Sequence, residues 1–162
     1  MRVFLLAWHM FIQNPENLIQ ELQDYLSLKD EKDTSTSASN VGWHIDHSLK
    51  VFNTVSVNFL KSNPKMYAYE FNKWRTLCFI LGYFPRGKAK APRQVSSPKI
   101  ITTKELELQF KLALSHTRMI KKAHHNAYFR HLIFGYLNKK RTIRFLHIHT
   151  AHHLKIIKDI LK

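Results

Sequence analysis

Only one cysteine, four glycines and five prolines occur among the 162 residues. With a single cysteine, Cys78, an internal disulfide is excluded, and so are the zinc ribbons and dithiol redox motifs that need paired cysteines. Cys78 sits in the apolar run Leu77-Cys78-Phe79-Ile80-Leu81, where a buried, inert thiol is expected and not a nucleophile. The shortage of Gly and Pro excludes collagen-like and low-complexity chains and argues against a loop-rich sandwich. Acidic residues are scarce as well: 11 Asp and Glu stand against 26 Lys and Arg, a net charge of +15. That balance admits nucleic acid, an anionic membrane or an anionic small ligand as partner, or it serves solubility alone. No apolar run approaches the roughly 20 residues of a membrane span. Residues 1–12 are apolar after Arg2, yet His9 interrupts them and no small-residue cleavage site follows. Residues 1–13 therefore read as a packed lead-in, or an over-extended translation start, of a cytoplasmic protein, and not as a signal peptide.

What is present suits one domain spanning 1–162: 44% hydrophobic and 12% aromatic residues are enough for a real core. Asn14-Pro15-Glu16 is a helix opening, and Leu18, Ile19, Leu22, Tyr25 and Leu26 continue at helical spacing to about Leu28. The polar stretch Lys29 to Asn40 is a loop. A second helix is expected from Val41 to Leu60 on the stripe Ile45, Leu49, Phe52, Val55 and Phe59, stopped by Asn63-Pro64. A short helix is expected over Glu70 to Leu81, ended by Gly82 and Pro85. Thr102 followed by Glu105 is a capping-box pattern that opens a third long helix to about Ala123. A connector with His124, His125 and His131 then leads to Asn138, the cap of a fourth helix with Ile143, Leu146, His153, Ile157 and Ile160 on its core face. Four long helices, with an elaborated crossover at 63–101 carrying the basic loop 85–93, predict an all-α fold, a four-helix bundle.

Histidine supplies the chemistry. Eleven are present, four of them in His147-Ile148-His149-Thr150-Ala151-His152-His153. Residues four apart share a helix face, so His149 and His153 can direct both imidazoles at one point, as a metal chelate requires. The alternative is that each finds its own backbone or carboxylate partner. A second cluster, Trp43-His44-Ile45-Asp46-His47, opens the second helix. His47 there can point into the bundle, His44 is the alternate, and His131 in the connector is a further one. Asp46 lies about 100° around the helix from His47, which makes it a poor co-ligand. One imidazole from the second helix and two from the fourth make three neutral nitrogen ligands. Such a set leaves a position open for water or substrate, the arrangement of a catalytic site, and suits Zn²⁺ or Ni²⁺. Trp43 reads as a core anchor.

The segments Trp43-His44-Ile45-Asp46-His47-Ser48-Leu49-Lys50, Pro85-Arg86-Gly87-Lys88-Ala89-Lys90-Ala91-Pro92 and Phe145 to Lys155 together resemble an uncharacterised branch of the DinB-like superfamily. That superfamily includes damage-inducible bacterial proteins and the thiol S-transferases that use bacillithiol or mycothiol. The resemblance covers the chain from about Asn14 onward. It implies an up-down-down-up four-helix bundle holding a divalent metal through three histidines, which map onto His47, His149 and His153. Leu154 stands where an Arg often follows the second ligand of the pair, and Leu132 follows His131 where Pro is expected.

Three function classes follow. A metal-dependent enzyme would activate water or a thiol, as a hydrolase or a thiol S-transferase, with Arg86, Lys88 and Lys90 holding an anionic cofactor such as a low-molecular-weight thiol. A nucleic-acid-binding module is the alternative suggested by the charge, but the cations are spread over every segment and no recognition motif is visible. The third is a non-catalytic scaffold or homodimer, with Phe4, Leu5 and Trp8 at the interface.

Overall fold

The computed structural model describes residues 15–86 and 100–162. The lead-in with Phe4, Leu5 and Trp8, the Asn14 cap, and residues 87–93 of the basic loop lie outside the described residues.

Helices form where apolar spacing and a side-chain cap coincide. Helix α1 (Pro15–Asp24) buries Leu18, Ile19 and Leu22, and the expected extension to Leu28 is instead a separate 3₁₀ turn, Leu26–Leu28. Helix α2 (Val41–Leu60) starts where the Asn40 side chain accepts the Trp43 N–H. Helix α3 (Lys73–Leu81) begins at Lys73 and not at Glu70, because Asn72 caps it through the Arg75 N–H. It stops at Gly82, whose φ of 71° suits a residue without a Cβ. Helix α4 (Thr103–Lys122) carries the expected reciprocal capping box between Thr102 and Glu105. Helix α5 (Lys139–Ile160) is capped by Asn138, which accepts the Arg141 N–H.

Helix α2 packs on α4 and α5, and α1 lies against the same two helices. Their buried faces meet in one core that includes Leu22, Ile45, Leu49, Phe59, Leu106, Phe110, Leu146 and Ile157. Helix α3 meets this core through its inner side only: Cys78 and Phe79 are half-buried against it, whereas Trp74, Leu77, Ile80 and Leu81 are exposed. Burial raises the Cys78 thiol above its usual range, which agrees with an inert group. Among the described residues, no helix is long and apolar enough to cross a membrane.

The molecule is mostly helical, with one correction to the all-α expectation. The connector before α5 is an antiparallel hairpin of β1 (Tyr128–His131) and β2 (Gly135–Asn138), with His131 opposite Gly135. Aromatic residues suit a pleated surface, and Tyr128 and Tyr136 meet edge to face across the pair. The loop between them, Leu132-Ile133-Phe134, has none of the usual turn residues. Gly135 directly after it takes a left-handed φ of 67° that closes the turn, and the His131 ring supports the loop, its Nδ1 accepting the N–H groups of Ile133 and Phe134. Buried Arg75 fastens the hairpin to the segment around α3, donating to the carbonyls of Glu70, Phe134 and Tyr136.

Candidate metal centre

The site forms where the first two turns of α2 face the middle of α5. Gly42 lets the preceding loop close on the start of α2, since a Cβ there would lie 2.8 Å from the Lys29 carbonyl oxygen. The Gly42 N–H donates to that oxygen at 2.7 Å, which brings the Lys29–Asn40 loop back over the start of α2. Four residues after Trp43, His47 lies against it, and their rings stack at 5.0 Å with planes 11° apart. Trp43, expected as a core anchor, is half-buried and forms a wall of the histidine cluster, since it also meets His44 edge-on.

From α5, His149 and His153 present adjacent rings whose centroids are 4.7 Å apart. The His47 ring lies 5.3 Å from that of His149 and 4.8 Å from that of His153. One nitrogen from each of the three imidazoles falls within 4.8 Å of the others, so together they could hold a metal ion. His47 and His153 are buried, and His149 keeps partial exposure. An ion with bonds of about 2.0–2.1 Å to imidazole nitrogen can gather three donors so placed.

The electrostatics of the cluster favour neutral imidazole. Burial first, and then mutual repulsion with His47 and other histidines, hold His149 and His153 well below the usual histidine range. His44 is pushed down to about 4, chiefly by burial and then by His47. The start of α2 adds the positive end of a helix dipole close by. A neutral imidazole keeps one lone pair, and that lone pair is what a metal needs.

The other candidates occupy different places. His44 is buried beside the cluster, not within it: its Nδ1 lies 3.0 Å from Nδ1 of His153 and its Nε2 lies 2.9 Å from Ser37 Oγ. His131 sits at the end of β1, stacked on Phe134, with its Nδ1 lone pair committed to the hairpin loop. Burial lowers it to about 4. Asp46 stays out of the cluster, as its angle predicts, and it is buried, not surface-exposed. It accepts from Lys50 at 2.6 Å and from Gln109 of α4 at 2.7 Å. Arg86 pairs with Asp159 of α5 at 2.6 Å, while Lys88 and Lys90 lie outside the described residues. His152 hydrogen-bonds the backbone of Phe84 and borders a cavity of about 360 Å³ also lined by Tyr83, Phe84, Arg86, Ile148 and Lys155.

Sequence reasoning passed over Ser37. It sits in a polar loop, and no local pattern connects it to a helix that starts further on. No family model, curated protein or solved structure matches the chain.

Proposed function

We propose that this chain is a divalent-metal-binding protein of the DinB-like superfamily, a four-helix bundle of α1, α2, α4 and α5, acting as a thiol S-transferase or hydrolase. The observation that carries the reading is the convergence of His47, His149 and His153 on one point from two helices. Three neutral nitrogen donors match Zn²⁺ or Ni²⁺ and leave a coordination position open. Bound there, such an ion acts as a Lewis acid and lowers the pKa of a water or thiol at its open position. The chain's own contribution is to keep His149 and His153 neutral by burial and to set His47 against Trp43. The cavity beside His152, with Arg86 and Lys155 on its wall, is where an anionic thiol or substrate is placed in this reading. Guanidinium and ammonium groups suit its carboxylates or phosphates.

The test is metal content. The chain is purified without a histidine tag, loaded with Zn²⁺ or Ni²⁺, dialysed and measured by elemental analysis. Close to one ion per chain is expected, with loss in His149→Ala and His153→Ala. Full occupancy in both variants would refute the site. Retention in His47→Ala alone would move the third ligand to another histidine.

A further inference from the structure

Beside the three donors lies a further buried imidazole. His44 is 4% exposed, and both its nitrogens have close polar neighbours: Nδ1 faces Nδ1 of His153 at 3.0 Å, and Nε2 faces Ser37 Oγ at 2.9 Å. Two nitrogens this close need a proton between them, so one imidazole donates and the other accepts. A neutral ring carries one N–H and one lone pair.

If His44 donated, the lone pair on Nδ1 of His153 would be consumed. The proton of His153 would then sit on Nε2, and the ring would have nothing to offer an ion. The reverse direction has no such conflict. His153 Nδ1–H donates to His44 Nδ1, which leaves Nε2 of His153 with a free lone pair. His44 then carries its proton on Nε2 and donates it to Ser37 Oγ.

We infer that His44, backed by Ser37, is a positioning residue that fixes the tautomer and orientation of His153 so that Nε2 of His153 faces the metal. This role rests on the metal centre described above. Hydrogen-bond partners of this kind orient ligand histidines and raise their basicity, and here the partner is a second imidazole. The loop that supplies Ser37 is itself built. Asp33 accepts from the Ser35 N–H and from the Thr36 hydroxyl, and Ser37 Oγ accepts the Ser39 N–H at 3.1 Å. Ser37 is thereby held at a fixed point over the start of α2.

Co²⁺ is the probe, because its visible bands report both binding and geometry. The full-length, tag-free chain is titrated with Co²⁺ as wild type, His44→Ala, His44→Asn and Ser37→Ala. His44→Ala is expected to weaken Co²⁺ binding by about 10–100-fold. His44→Asn is expected to restore most of that loss, because its carboxamide oxygen takes the place of Nδ1 as acceptor. Ser37→Ala, a loop change away from the core, is expected to weaken binding by a few-fold and keeps the question open to measurement should His44→Ala unfold. Long-range ¹⁵N–¹H spectra of the Zn²⁺-loaded chain should show His153 protonated at Nδ1 and His44 protonated at Nε2. A metal-shifted nitrogen on His44 would make it a ligand and overturn the positioning role. So would unchanged affinity in both His44→Ala and Ser37→Ala, or a His44→Asn variant no better than His44→Ala. A wild-type chain that takes up no Co²⁺ would overturn the metal centre itself, and the positioning role with it.

Discussion

His149 and His153 owe their pairing to helix geometry alone, and the consequence of removing either follows from that. Each is one of the three imidazoles that together could hold an ion, and a two-donor remnant cannot hold a divalent ion against water for long. Each alanine variant is expected to lower Zn²⁺ affinity by at least about 100-fold, beyond the 10–100-fold typical of outer-shell partners, read by competition with a chromogenic chelator. Loss of less than about tenfold in both would contradict three-histidine coordination. This pair was legible in the sequence because positions four apart meet on a helix whatever the rest of the chain does. The third donor needed more than a local rule. His44 and His47 open the same helix, and only the packing of α2 on α5 places His47 with the pair and His44 against the far side of His153. The Ser37 contact was illegible for the same reason: it depends on where a polar loop lands, not on a period or a motif.

At the scale of elements, caps were the readable signal. Thr102 and Asn138 each accept a backbone N–H at the helix start they announced, and Asn40, read only as the end of a loop, does the same for α2. The hairpin was hard to read because its three loop residues are apolar, with the lone glycine Gly135 after them as the one turn signal, and because the His131 ring supplies hydrogen bonds to the turn from a side chain. Its attachment escaped notice too. Arg75 looks in sequence like one more surface cation, yet it is 2% exposed and serves the carbonyls of Glu70, Phe134 and Tyr136. An apolar replacement of similar length removes all three donors at once. Arg75→Met is therefore expected to destabilise the chain by about 3 kcal/mol, given roughly 1.5–3 kcal/mol for hydrogen bonds to charged groups, read as a lower urea midpoint. A smaller effect is expected of Thr102→Ala, about 1 kcal/mol for a lost N-cap. Equal losses for the two variants would mean that Arg75 is not what holds the hairpin down.

The whole molecule carries a further consequence of burying so many imidazoles in a chain already at +15. In the unfolded chain histidine titrates near 6.5. In the fold, burial brings His131 down to about 4 and holds His149 and His153 lower than their usual range as well. Between those limits the unfolded chain binds protons that the folded chain refuses. The sign follows: the full stability is present above about pH 6.5 and is lost as the pH falls toward about 4, at about 1.4 kcal/mol per pH unit for each such histidine. Added positive charge on an already cationic surface pushes in the same direction. Metal opposes the loss because it binds only the neutral donors, and at 100 times its dissociation constant it adds about 2.7 kcal/mol of stability. Urea unfolding of the metal-free chain should thus give a midpoint that drops steeply between about pH 7 and about pH 5. Zn²⁺ should raise the midpoint at neutral pH in the wild type and leave that of His153→Ala unmoved. A metal-free midpoint that stays flat across this range would mean that the imidazoles ionise in place, and that the centre is far wetter than its burial indicates.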